Sequence, residues 1–476
     1  MRRFYNIKII LVLTLSISCN TTSDTEKQLE YKAIYSGTQW IDDLGKEVSA
    51  HGAGIIKDNG KYYLFGEKKS DTSNAFTGFN CYSSTDLYNW KFESLALPVQ
   101  DSGRLGPERV GERVKVMKSP ATGEYVMYMH TDDLGYRDPT VGYATSKNIT
   151  GPYTFEGPLI FNGKSIHKWD MGTFQDDDGT GYLLVHGGNI FRLSDDYKSI
   201  SEQVLEGMCH GCESPAVFKK DGVYFFLGSD LTSWERNDNT YHTATSLEGP
   251  WTLRGNFAPE GTLTWNSQTT FVFPINGAKD TTYMFMGDRW AFPRQNSAAT
   301  YVWQPLSVSG TSLSIPEFRE AWQINTLTGI VSEFEIKGKK IDNSDKGSIK
   351  YHGKWEHSAQ TNPLFSDSRS DVPEAGFMVP FEGSQIALYG ISRPDGGYAR
   401  VILQNSNEET ILSSVIDMYS KYPVSSLKFI SPVMEKDNYV LKVSVIAEHG
   451  KWSDKKGTVY GSTGNYVSVD RILIKK

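Results

Sequence analysis

The sequence predicts an all-β chain in which a five-bladed β-propeller is followed by a C-terminal β-sandwich. The first observation behind this is a fivefold pattern. A polar residue opens a short apolar run, the run breaks at a turn, and an aromatic-rich run follows. The openers His51, Glu112, Asp170, Glu213 and Gln268 lie 61, 58, 43 and 55 residues apart, the repeat length of a propeller blade. The second observation is turn chemistry inside each run. Asp58-Asn59-Gly60, Ala121-Thr122-Gly123, Asp177-Asp178-Gly179 and Lys220-Asp221-Gly222 separate apolar stretches, and Asx-Gly pairs in that setting mark hairpins. The third is the loss of this pattern after Glu320-Ala321-Trp322. From about Val331 short alternating strands follow, such as GSQIALYGI and YVLKVSVIAEHG, as a sandwich requires.

Taken in order, residues 1–19 read as a secretory signal: Arg2 and Arg3, an apolar run from Ile7 to Ile17, then Ser18-Cys19. The polar stretch NTTSDTEKQ that follows favours lipidation of Cys19 over a plain signal peptide, although Ser16 stands where bacterial lipoprotein signals usually carry Leu. Residues 20–33 form the tether, 34–328 the propeller and 329–476 the sandwich. The segments SSTDLYNW, SKNITGPYTF, LSDDYKSI and SLEGPWTL recur after the inner strands of four blades. Each carries turn residues feeding an aromatic, as expected where an outer strand packs on its neighbour. The fifth blade ends with YVWQPLSV, and closure by Tyr35 to Trp40 is left open. In the last region only Trp355, Tyr398 and Trp452 suggest a binding platform, so a structural appendage and a sugar-binding module remain equal readings.

Composition narrows the function. The chain has 44 Gly, 26 Tyr and 11 Trp with aromatics at 13%, and aromatic-rich β proteins often bind sugars. A net charge of -7 without long runs argues against nucleic acid, which needs a basic stripe. No stretch after the first twenty residues is long and apolar enough to span a bilayer. Cys81, in a predicted strand, reads as a buried small hydrophobe. Cys209-His210-Gly211-Cys212 lacks the second ligand pair that zinc needs and the residue order that haem attachment needs. A local disulfide or two free thiols remain. DDDG lacks the spacing of a calcium loop and reads as a turn. No cofactor or metal set is read from the sequence, which leaves open a structural calcium in the central channel.

Radial repetition would bring the five openers to one end of the axis. Three carboxylates, an amide and an imidazole would then share a pocket, and unpaired carboxylates are costly to crowd unless chemistry needs them.

At these residues the chain resembles glycoside hydrolase family 43, and within it the exo-β-1,3-galactanase branch. The motifs are Ala50-His51-Gly52 with Tyr62 to Glu67, then Glu112-Arg113-Val114-Lys115-Val116, where the branch's proline is lost. Asp170 to Gly179, Glu213 to Phe218 with Thr232-Ser233-Trp234, Ser267-Gln268 and Asp288-Arg289-Trp290 complete the set. The resemblance covers about residues 35–325. It implies a five-bladed catalytic domain with Glu213 as general acid and Asp170 as its negative neighbour, raising its pKa and orienting the sugar. The first-blade Asp that usually serves as base is replaced by His51-Gly52. Gln268 then either positions the water or acts as an imidic acid, with Glu112 assisting or being the base itself. Inversion requires about 6.5–9.5 Å between the acid and the water-activating group. Arg113, Trp234 and Trp290 are candidate sugar contacts, and His51 either touches sugar or is a structural imidazole.

The reading is therefore an exported exo-acting inverting glycosidase, tethered to a bacterial envelope membrane by lipid and facing periplasm or cell surface. It would remove single sugars from a polysaccharide or its oligosaccharides, β-linked galactose first. A β-xylosidase or α-L-arabinofuranosidase is the alternative within the family. A non-catalytic glycan-binding surface lipoprotein is the alternative of another class.

Overall fold

The computed structural model describes residues 29–358 and 366–476; the expected signal, its Cys19 and most of the tether lie outside the described residues. The described chain is all-β, with only a 3-10 turn at Gly103–Leu105 and a helical turn at Leu263–Asn266. Five antiparallel sheets follow one another along the sequence, and none closes on itself. The first joins His51–Asp58, Lys61–Glu67, Phe79–Ser84 and Lys91–Leu97. The second joins Arg109–Lys118, Tyr125–Asp133, Thr140–Ser146 and Thr154–Pro158. The third runs from Met171–Gln175 to Ile200–Leu205 and the fourth from Glu213–Lys220 to Thr252–Asn256, again with four strands each. The fifth has three: Gln268–Asn276, Thr281–Arg289 and Thr300–Pro305.

Each Asx-Gly or Thr-Gly pair read as a hairpin turn joins the first two strands of its sheet. Asn59 and Gly60 both take positive φ, as do Asp221 and Gly222, the geometry whose twist matches flanking strands. The recurring segments at 83–90, 146–155, 193–200 and 246–253 bridge the third and fourth strands of the first four sheets.

The leading strands pack against one another in cyclic order: first on second, second on third, third on fourth, fourth on fifth, and fifth back on first. This brings the five openers to one end of the array. Four of the leading strands slip register just past the opener, between His51 and Gly54, Glu112 and Lys115, Glu213 and Ala216, and Thr269 and Phe271. Such bulges re-aim side chains at strand ends. Arg113 and Ser214 adopt φ of 57° and 55° there, a conformation that costs an L-residue of order 1–3 kcal/mol. The first sheet has Gly52 at the matching place, with φ 60°.

Apolar clusters fill the wedges between sheets, including Trp90, Trp303 and Trp322 between the first and fifth, and each such side chain contributes about 1.5–3 kcal/mol by leaving water. Ser36 Oγ donates to Trp303 O and Gly37 N to Tyr301 O, so the chain before the first sheet lies along the edge of the fifth. At the end opposite the openers a cavity of about 520 Å³ is lined by all five leading strands, among them Ile55, Val116, Phe174, Val217 and Phe271.

The C-terminal region holds two larger antiparallel sheets, one of four strands and one of five, sharing one apolar cluster. It docks on the fourth and fifth sheets through polar contacts. Tyr419 Oη donates to Glu235 Oε2 at 2.7 Å, Tyr398 Oη to Ala291 O at 2.8 Å, and Tyr422 Oη to Thr262 O at 2.9 Å. Tyr398 and Trp452, named as platform aromatics, are thus buried at this junction. Cys209 and Cys212 form a disulfide, and Cys81 is a buried free thiol.

Candidate active site

Every opener has a polar residue near it at the end of the following strand. His51 pairs with Glu67, Glu112 with His130, Glu213 with Ser229 and Gln268 with Asp288, while His186 N donates to Asp170 O. The site is therefore two polar tiers deep.

Glu213 is half-buried, and its Oε2 has no partner. Burial raises its proton affinity well above the ordinary carboxylate range, and the nearby Asp170 raises it further against the pull of Arg113. Asp170 is pinned: its Oδ2 accepts from Ser214 N at 3.0 Å and Ser214 Oγ at 2.8 Å, and Arg113 Nη2 lies 3.3 Å away. Glu213 thus stands near a carboxylate whose Oδ2 is held by Ser214 and Arg113.

Gln268 is held from the opposite side. Its Oε1 accepts from Arg113 Nη2 at 2.6 Å and from Trp290 Nε1 at 2.8 Å. These two donors fix the amide so that its nitrogen, not its oxygen, is left for a ligand.

Glu112 and Glu67 flank Lys69. Lys69 Nζ pairs with Glu67 Oε2 and lies 3.4 Å from Glu112 Oε1, which also accepts from Tyr136 Oη at 2.9 Å. Burial alone would raise the Glu112 pKa, but Lys69 and His130 bring it down to about 2. Glu67 goes the other way, raised by burial and by Glu112 despite Lys69. The Glu67 Oε1 sits 2.0 Å from where a Cβ at Gly52 would fall. The small residue in the first sheet therefore makes room for a carboxylate from the next strand.

The same groups bear on metal binding. Glu112, His130 and Asp170 offer ligand atoms within 4.8 Å of one another. Burial disfavours the His130 cation, yet Asp132 and Glu112, 3.1 and 3.6 Å from its ring nitrogens, raise its pKa to about 9. Asp170 and Glu112 already have Arg113 and Lys69. Lys115 Nζ donates to the carbonyl oxygens of Gly52, Arg113 and Val114 at 2.8, 3.3 and 3.3 Å, so these oxygens are already engaged.

Trp234 and Trp290 meet edge to face at 5.1 Å, with Lys69 Nζ 5.2 and 5.3 Å from their centroids. Trp234 also stacks on Phe292. His51 is 0% exposed, its ring stacks on Tyr301 at 4.6 Å and its Nδ1 lies 3.2 Å from Asp288 Oδ1, while its Nε2 has no partner.

The structure thus brings Glu112, Arg113, Asp170, Glu213, Gln268 and Trp290 together. Sequence reasoning missed Glu67, Lys69, His130 and Tyr136. A signal for the first and third existed: each repeat ends on a polar residue as it begins on one.

Comparison with known proteins places this arrangement. The family model for glycosyl hydrolases family 43 matches residues 47–270. A solved structure from Bifidobacterium bifidum s17, assigned as an exo-β-1,3-galactanase, is 38% identical, covering 59% of this chain and 95% of that one with a TM-score of 0.55. The exo-β-1,3-galactanase of Phanerochaete chrysosporium, solved with galactose, is 27% identical, covering 93% of this chain and all of that one with a TM-score of 0.68. Among curated proteins, an extracellular endo-α-(1→5)-L-arabinanase of Bacillus subtilis is 26% identical over 220 residues, 38% of this chain and 44% of that protein. The chain spans about half the length of the curated relatives it matches. With the motifs, the site and these relatives in agreement, the chain belongs to glycosyl hydrolases family 43.

Proposed function

We propose that the chain is an exo-acting, inverting glycoside hydrolase that releases terminal galactose from β-1,3-linked galactan. The observation that carries this is Glu213, poised in its protonated form beside a pinned Asp170 in the cluster that also holds Gln268. Glu213 protonates the departing glycosidic oxygen. Asp170 keeps that proton available and, with Arg113, orients the sugar. The –NH₂ of Gln268 holds the sugar or the attacking water, and ionised Glu112 takes the proton that the water gives up as it attacks. Likeness to an exo-β-1,3-galactanase solved with galactose, and to a variant of it solved with β-1,3-galactotriose, supports galactan as substrate.

The five sheets at 34–328 read as propeller blades and 329–476 as a sandwich. Cyclic contact of leading strands and the paired C-terminal sheets support this. Lipidation at Cys19 would tether the enzyme to an envelope membrane.

The test is a product screen on β-1,3-galactan, xylan and arabinan oligosaccharides, with NMR reading the first-formed anomer. Release of α-galactose by wild type and not by Glu213→Gln supports the proposal. Xylose or arabinose as sole product reassigns the substrate, a retained anomer removes inversion, and binding without release favours the non-catalytic reading.

A further inference from the structure

A hairpin of the C-terminal region, Lys451–Ser453 paired with Val459–Gly461, reaches back over the cluster just described. Its base is anchored on the fifth sheet's loop. A Cβ on Gly450 would fall 2.6 Å from Phe292 O and 2.9 Å from the Tyr398 hydroxyl, so the backbone is seated directly on that loop. Trp452 is buried and meets Phe292 edge to face at 6.5 Å, while Tyr460 stacks on Trp452 at 6.2 Å. Phe292 in turn stacks on Trp234, which meets Trp290, the donor to Gln268.

The tip lands on the opposite side of the site. Lys455 Nζ donates to Tyr136 O and lies 5.7 Å from the Tyr136 ring and 5.9 Å from the Trp169 ring. Tyr136 donates to Glu112, and Trp169 precedes Asp170 and stacks on His186 at 4.3 Å. The hairpin therefore runs from the Trp234–Trp290–Phe292 wall to the Tyr136–Trp169 wall. An exposed ammonium with unspent donors beside two aromatic rings suits a sugar, whose hydroxyls accept from the cation while its C–H face lies on a ring.

We propose that this hairpin is a wall of the sugar pocket and that Lys455 is a specificity-determining residue, donating to a hydroxyl of a neutral oligosaccharide bound there. The inference rests on the glycosidase reading above and extends it to a residue that would touch the bound sugar. Trp452 is a positioning residue that acts through Phe292 and Trp234.

The test measures binding of β-1,3-galactotriose, xylotriose and arabinotriose to full-length Glu213→Gln by calorimetry, alone and with Lys455→Met or Lys455→Arg added. Steady-state kinetics of the Lys455 single variants run beside it. Loss of one charge-assisted hydrogen bond is expected to weaken binding about tenfold. KM should rise by a similar factor with kcat within about threefold, the melting temperature should not move, and Lys455→Arg should recover most of the affinity. If a xylan or arabinan fragment binds instead and shows the same loss, the wall stands and only the galactan reading falls. Equal affinity with and without Lys455 overturns the wall while leaving the glycosidase. Binding of none of the three sugars to the parent overturns both.

Discussion

Arg113 Nη2 donates to Gln268 Oε1 at 2.6 Å, and the same nitrogen lies 3.3 Å from Asp170 Oδ2. One guanidinium therefore fixes both the amide of the fifth sheet and the carboxylate that precedes the third. It also lowers the proton affinity of Glu213, which burial and Asp170 raise. Asp170, Arg113 and Glu213 form one electrostatic unit, and opposite changes to it should have opposite signs.

Asp170→Asn removes a negative neighbour of Glu213. The acid then releases its proton more readily, and the alkaline limb of kcat/KM should move to lower pH. Activity should fall at least about a hundredfold, because a preorganised charge at the reacting centre is lost. Arg113→Met removes a positive neighbour, so its residual activity should persist to higher pH. Activity–pH profiles of the two variants check this, and shifts in the same direction would refute the coupling.

Gln268→Ala should lower kcat about 10²–10³-fold, the usual effect of losing one fixed polar group at a reaction centre. With Oε1 committed to Arg113 and Trp290, an imidic acid, which carries its proton on oxygen, would meet two donors. That pair of donors favours the amide form. Formate or azide should therefore restore activity to Gln268→Ala less well than to a variant lacking a true carboxylate base such as Glu112→Ala.

His130 carries a stability prediction. Its pKa, raised to about 9 in the fold by Asp132 and Glu112 despite burial, exceeds the unfolded value of about 6.5. The raised pKa stabilises fully below pH 6.5, and that contribution is lost as pH rises through 9. The upper bound is about 3 kcal/mol, from 1.4 kcal/mol per pH unit. Melting temperature against pH should show this alkaline loss in wild type and a flatter curve in His130→Gln.

The openers and the hairpin turns were legible because local chemistry repeats. Asn59-Gly60 and Asp221-Gly222 specify their turns within two residues, and Glu112, Asp170 and Glu213 recur at matching positions. Lys69 and Tyr136 were not legible because they come from loops of unequal length, where no repeat marks a position. Lys115 lay inside a quoted motif, but only the cyclic packing of strands shows that its nitrogen meets the carbonyls of Gly52 and Arg113. Tyr398 and Trp452 were visible as aromatics. Their partner surface belongs to residues 291 and 292, more than a hundred positions away, and no periodicity encodes that contact.

That junction makes the last prediction. Tyr419 Oη donates to Glu235 Oε2 at 2.7 Å, and both residues are buried. Tyr419→Phe leaves a buried carboxylate oxygen without its donor, at a cost of about 1–3 kcal/mol. Arg236, adjacent in sequence, donates to Trp290 O at 2.8 Å and lies 3.7 Å from Asp417 Oδ2, so loosening the junction reaches the tryptophan that holds Gln268. The expected result is a lower melting temperature together with a fall in kcat larger than any change in KM, since Gln268 loses its fixed orientation before the aromatic wall loses its contact area. A variant that melts earlier yet keeps wild-type kcat at a temperature where it is fully folded would show that the junction stabilises the chain without organising the site.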